Sequence, residues 1–292
     1  MMSEFDIVLQ TIVNGLMQGG LYALIAIGLT MIYGVMKVTN FSHGDMLMLG
    51  MYGAFWFFAL ANIIPYVSVF FVFGIMFGIG ALIQRFFIGK VIGSEPMNTL
   101  MVTIGISTIF SSTAQFFWQA NVRTLHLPWG LDSLRIGDIR FTYTRLIAFA
   151  ASILLVLALF AFLKYSRTGK AMRAASQNRE AATLMGINVR AVYIIAFGLG
   201  SGLAGVAGVL MAPFQPVSPM IGSQFAIIAF VVVVLGTMGN FVGALVGGIL
   251  IGVAEAIGGY IFGTQAKLLV SLLIFMLVLL FKPSGLFGGK KK

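Results

Sequence analysis

The residues of this chain that could do chemistry are few, and they stand within or beside long apolar runs. Glu255 lies in the run 241–262, and Asp45 sits at the edge of the run 45–63, next to Asn40, Ser42 and His43 in the polar stretch Val38–Asp45. An ionisable group within a membrane span is costly, so it marks either a solute route or a hydrogen bond across a helix bundle. Both readings stand for Glu255. For Asn40–Asp45 the choice is between a route and a polar start to the next helix, with Asp45 at its positive end. Thr103, Ser107 and Ser111 recur every four residues, so one helix face carries three hydroxyls that either line a passage or bond a neighbouring helix.

Hydrolytic and metal chemistry finds no support. The chain lacks G-x-x-x-x-G-K-[ST], H-E-x-x-H and G-x-S-x-G, and it has two histidines and no cysteine. It is therefore expected not to be an enzyme and not to hydrolyse ATP by itself. Gly200-Ser201-Gly202-Leu203-Ala204-Gly205 fits the spacing of a dinucleotide fingerprint, but it lies inside an apolar run with no preceding strand, so it reads as helix packing. A self-sufficient carrier driven by protons or sodium needs several ionisable groups in its spans, and one deep carboxylate is thin support for that.

These groups must be positioned by membrane helices. Hydrophobic residues make up 60% of the chain and charged ones 9%, with a mean hydropathy of +1.04. Soluble proteins carry roughly 25% charged residues. Apolar runs at 7–36, 45–63, 66–88, 97–120, 142–163, 190–212, 225–236, 241–262 and 267–281 predict an all-α polytopic integral membrane protein, a single domain over 1–292. The expected fold is a glycine-rich bundle of about eight or nine transmembrane helices with broken or re-entrant segments. Pairs such as Gly15/Gly19, Gly74/Gly78, Gly198/Gly202 and Gly248/Gly252 recur one turn apart, which lets backbones approach closely. Asn14–Gly20 and Ala212–Pro219 are further candidate breaks, and broken segments point to a transport pathway. The acidic start Glu4–Asp6 does not resemble a cleaved signal, so the first run is expected to stay as a span.

Charge is concentrated at two places. Lys164–Arg190 holds six basic residues against Glu180, and Lys282–Lys292 holds four lysines. The net charge of +10 is thus a topology signal facing the cytoplasm and not a nucleic-acid surface. With both segments inside, 121–141 falls outside, Arg85–Pro96 and Lys37–His43 fall inside, and the N-terminus falls outside unless the first run is a broken pair. Within the loop 164–190, Asn178 suits an N-cap, Glu180 the positive end of a helix and Gly186 a left-handed stop, which makes a compact polar knob.

The pattern Glu180-Ala181-Ala182-x-x-x-Gly186 resembles the docking motif by which permeases of ATP-binding-cassette importers engage their ATPases. Further blocks match one family: Gly28–Val35, Asn40–Asp45, Thr168–Ala174 and the ending Lys282–Gly288. Together they resemble the shorter permease of high-affinity branched-chain amino acid importers. The resemblance implies a multi-pass subunit of the bacterial inner membrane that translocates leucine, isoleucine or valine. It implies a second homologous permease, two cytoplasmic subunits that bind ATP and magnesium, and a periplasmic amino-acid-binding protein as partners, with no cofactor in this chain. Glu180, Ala181, Ala182 and Gly186 would dock an ATPase, with Arg173 supporting that surface. Asn40, Ser42, His43, Asp45, Ser107 and Glu255 remain the solute-path candidates. Relatives with the same blocks carry urea or short amides, so these stay as alternative substrates.

Overall fold

The computed structural model describes residues 4–130 and 132–288. Its helices are α1 (Glu4–Met36), α2 (His43–Ala61), α3 (Pro65–Ile83), α4 (Gly89–Val91), α5 (Pro96–Trp118), α6 (Tyr143–Tyr165), α7 (Arg167–Gln177), α8 (Arg179–Leu184), α9 (Val189–Met211), α10 (Ile221–Leu235), α11 (Phe241–Phe262) and α12 (Lys267–Phe281). A π-helical turn, Gln84–Ile88, joins α3 to α4. Among the described residues, eight helical segments are long and apolar enough to cross a membrane, the last being α12 together with the 3-10 turn Thr264–Ala266 before it, and α10 is a shorter apolar helix of 15 residues.

The first run is one helix, with no break at Asn14–Gly20. The glycines there serve contact. A Cβ added at Gly15 would lie 2.7 Å from the Val253 Cα, and one added at Gly252 would lie 2.4 Å from the Gly19 Cα, so α1 and α11 touch backbone to backbone. The fingerprint-like Gly200–Gly205 is packing as well: Gly200 meets Ile32 and Gly28 of α1, and Gly205 meets Met76 of α3. Gly74 and Gly78 depart from the expectation, because nothing lies within 4 Å of a Cβ added at either. The spacing marks a smooth helix face there, and none of the described helices covers it.

The membrane-spanning stretches of α1 and α9 are mostly buried and form the centre, while α5 and α12 are among the most exposed. The chain alternates between two ends. At one, which we call the basic end, Gly34, Lys164, Arg173 and Gly239 line one cavity, while Lys37, Gly93 and Arg179 line another. The C-terminal segment returns to this end, where the Thr237 hydroxyl donates to the Ser284 carbonyl at 2.9 Å. Lys290–Lys292, read as part of a basic tail, lie outside the described residues.

The opposite end carries an element the sequence reading did not foresee, a β-hairpin. Strand β1 (Ser133–Ile136) pairs antiparallel with β2 (Ile139–Thr142) across a two-residue turn in which Gly137 has φ +64°. The hairpin is tied to the start of α1, since the Gln10 amide donates to the Arg140 carbonyl at 2.8 Å and accepts from the Arg140 N–H at 2.7 Å. The start of α1 and the 121–141 segment therefore share one end, as the charge pattern requires with α1 unbroken. Nearby, Arg123 and Val217 exchange two backbone hydrogen bonds, which join the loop after α5 to the loop before α10.

Candidate functional site

Helix α7 leaves α6 at Ser166, whose hydroxyl caps it by accepting from the Gly169 N–H at 2.9 Å. Arg173 turns back toward α6 and donates to the Leu163 carbonyl at 2.6 Å and the Lys164 carbonyl at 3.4 Å. It occupies orphan carbonyls at the end of that helix and so fixes α7 against the membrane bundle. Asn178 then caps α8, accepting from the Ala181 N–H at 3.0 Å. Gly186 stops it with φ +79°. Ile187 N–H reaches the Ala182 carbonyl and Gly186 N–H the Thr183 carbonyl, the paired bonds of a Schellman stop.

Those two caps decide which side chains the knob presents. Glu180, Ala181 and Gly186 are exposed, whereas Ala182 is buried. A two-turn helix must seat one residue against the body, and the small Ala182 is the one seated. In its place Leu184 and Met185, 88% and 82% exposed, form an apolar tip on a basic loop. Neither was singled out from sequence, where two apolar residues in an apolar chain carry no signal.

The polar stretch before α2 runs deep. His43 is within 2.9 Å of the Ile25 carbonyl through Nε2, and Ile25 stands about 16 Å along α1 from Met36 at helical rise. Residues 37–42 thus fold back from the basic end into the bundle. A carbonyl can only accept, so Nε2 carries the proton and a neutral ring leaves Nδ1 as an acceptor. Asn40 Oδ1 accepts from the Ser42 N–H at 3.2 Å and the Ser42 hydroxyl at 2.7 Å. Asn40 Nδ2 and His43 Nδ1 are buried without a partner.

The hydroxylated face of α5 covers this break. The Thr103 hydroxyl, which bonds back to the Leu100 carbonyl at 2.9 Å, also lies 3.3 Å from the Thr39 carbonyl, Ser107 faces the Asp45 carboxylate, and Ser111 bonds back to the Ser107 carbonyl at 2.8 Å. On its other side stands the first turn of α10, where a Cβ added at Gly44 would lie 2.0 Å from the Gly222 carbonyl oxygen. Helix α10 consequently starts inside the bundle. The helices that follow the two polar interruptions, 38–45 and 212–219, meet there at their first turns.

Glu255 belongs to a separate cluster. It accepts from the Tyr22 hydroxyl at 2.6 Å and from the Ser271 hydroxyl, so it ties α1, α11 and α12 together. Phe225 of α10 meets the Tyr22 ring edge-on at 6.2 Å between centroids, which places α10 between the Glu255 cluster and Asp45. A cavity of about 270 Å³ opens beside Glu255 toward the hairpin end, lined also by Asn14, Gln18, Arg145, Gln215 and Lys267. Of the six path candidates, five gather at the break and Glu255 stands apart, in a polar cavity of its own.

The comparisons with known proteins identify the family. The family model described as branched-chain amino acid transport system / permease component matches residues 11–280. The chain is 33% identical over 302 residues to the high-affinity branched-chain amino acid transport system permease protein BraD of Pseudomonas aeruginosa, covering 98% of both chains. It is 34% identical to the corresponding LivH permease of Salmonella typhimurium (99% of this chain, 98% of the relative) and 33% identical to LivH of Escherichia coli K12 (99% and 98%). Among solved structures, a chain of PsaBC from Streptococcus pneumoniae in complex with Fab superposes with a TM-score of 0.50 over 94% of this chain and 92% of that one, at 13% identity, a likeness of fold. The match to the family model over nearly the full length, with relatives that are transporter subunits rather than enzymes, identifies the chain as a member of the permease components of branched-chain amino acid transport systems.

Proposed function

We propose that this chain carries leucine, isoleucine or valine across the bacterial inner membrane as one permease of an ATP-binding-cassette importer. In this reading it pairs with a second homologous permease. Two cytoplasmic subunits hold ATP and magnesium, and a periplasmic binding protein delivers the solute. The basic end faces the cytoplasm and the hairpin end faces the periplasm. The observation that carries the reading is α8: a helix capped at both ends, held to the bundle through Arg173, and presenting Leu184 and Met185 to solvent. An exposed apolar tip on a rigid polar mount is the chemistry of an inter-subunit anchor, because burying it in a partner's groove yields affinity at little ordering cost.

The solute path runs past the break at Asn40–Asp45, where Asn40 Nδ2 and His43 Nδ1 stand ready to bond a passing polar group or water. Opening this path requires α2, α5 and α10 to separate, since they enclose it. Substrate identity is tested on the assembled complex in lipid nanodiscs with its binding protein. Leucine, isoleucine or valine should stimulate ATP hydrolysis, and urea or acetamide should not. Stimulation by urea or acetamide alone would replace the proposed substrate class.

A further inference from the structure

Three arginines from two distant stretches of the chain converge at the basic end on one groove. Arg85 from the π-helical turn, Arg179 from the start of α8 and Arg190 from the start of α9 line a cavity of about 300 Å³ with Gln84 and Tyr193. It continues into a second cavity of about 530 Å³ that shares Ile92, Arg179 and Tyr193 and adds Lys37. Among the described residues, no carboxylate lines either cavity. A topology signal requires cations on one side of the membrane; it does not require them to converge on one hollow.

A second observation points to a ligand. Gln84 is 2% exposed and its Oε1 is buried without a hydrogen-bond partner. It lies in a π-helical turn, a form of backbone that recurs at functional positions. Guanidinium groups offer donors and no acceptor, so the groove presents donors for an anion together with one acceptor that lacks a donor. A phosphodiester linked to a hydroxylated head satisfies both.

The surroundings indicate where that phosphate comes from. Leu82, Phe86 and Phe87, on the same turns as Arg85, are 56%, 50% and 55% exposed, so an apolar surface for acyl chains adjoins the cationic groove. The geometry points to a site for an anionic phospholipid of the cytoplasmic leaflet, its phosphate held by Arg85, Arg179 and Arg190 and a headgroup hydroxyl donated to Gln84. Phosphatidylglycerol has this chemistry. Because Arg179 is the first residue of α8 and its guanidinium lies 6.0 Å from the Tyr193 ring centroid, a bound headgroup braces the knob at its root.

The test is native mass spectrometry of the full-length chain released from a non-ionic detergent, titrated with phosphatidylglycerol, phosphatidylcholine or inorganic phosphate. Phosphatidylglycerol should be retained over phosphatidylcholine, and Arg85→Gln/Arg190→Gln should weaken its binding by about thirtyfold, at roughly one tenfold step or less per cation. Lys164→Gln/Arg167→Gln removes the same charge elsewhere at this end and should leave binding unchanged. Arg85→Lys/Arg190→Lys, which keeps charge and fold, should give an intermediate loss because the fork is gone. Equal losses in the Arg85/Arg190 and Lys164/Arg167 pairs would overturn the site. Saturation by millimolar phosphate with no preference between the two lipids would overturn the lipid assignment.

Discussion

Tyr22 and Glu255 are 233 residues apart in the chain and 2.6 Å apart in the fold, the phenol of α1 donating to the carboxylate of α11. Ser271 of α12 supplies a second donor to the same carboxylate. A buried carboxylate with two satisfied oxygens is a clasp, and its value depends on both donors being present. Tyr22→Phe should destabilise the chain by about 1–3 kcal/mol, the cost of leaving a buried acceptor short. In a Glu255→Gln background the same change should cost less. Thermal inactivation of the four variants in a double-mutant cycle checks this; additive losses would show that the two side chains act independently.

Close backbone contacts predict which glycines tolerate a methyl group. Gly44→Ala places a Cβ 2.0 Å from the Gly222 carbonyl oxygen and should sharply reduce folded protein, because backbone atoms cannot yield as a flexible side chain can. Gly74→Ala and Gly78→Ala, with nothing within 4 Å, should leave the monomer's thermal stability unchanged. Size-exclusion yield and thermal inactivation of the purified chain decide the matter, and equal losses at Gly44 and Gly74 would contradict the packing described.

The knob divides by residue in a way that the motif alone does not. Leu184→Asp or Met185→Asp should lower solute-stimulated ATP hydrolysis by about tenfold or more while the chain still inserts, as expected for an apolar anchor. Gly186→Val should cost roughly 1–2 kcal/mol locally, since φ +79° is strained for a branched side chain. A cysteine at Thr183 should react only from the cytoplasmic side. Reaction from the periplasmic side would reverse the topology and remove α8 as a docking element.

At the break, Asp45→Ala and Ser107→Ala remove one polar contact from opposite partners, so each should lower uptake and the double variant should be no worse than the poorer single. Solute-free ATP hydrolysis by the assembled complex should be retained. Normal uptake by all three variants would make the break an inert helix start.

Much of this architecture is legible in sequence because its signals are local. Apolar runs set the helices, and α11 and α12 fall on the expected residues 241–262 and 267–281. Asn178 and Gly186 announce the caps of α8 within nine residues. What is not legible depends on distant partners. Asn14–Gly20 looks like a break because glycine weakens an isolated helix, and its role as a contact appears once α11 lies against it. Ala182 turns inward and Leu184 outward because of how α8 is mounted, and two turns are too short to display a periodicity. The hairpin left a weak trace in Gly137-Asp138, where short polar residues in an outer loop have many possible uses. Ser107 and Asp45 face one another, and their sequence separation hid that they share one place.

The source of energy separates an ATP-driven permease subunit from a self-sufficient carrier. Proteoliposomes holding the full complex, with ATP inside and leucine-loaded binding protein outside, should accumulate leucine, and omission of the ATPase subunits should abolish uptake. Leucine accumulation by this chain alone, driven by a proton gradient without ATP, would contradict it.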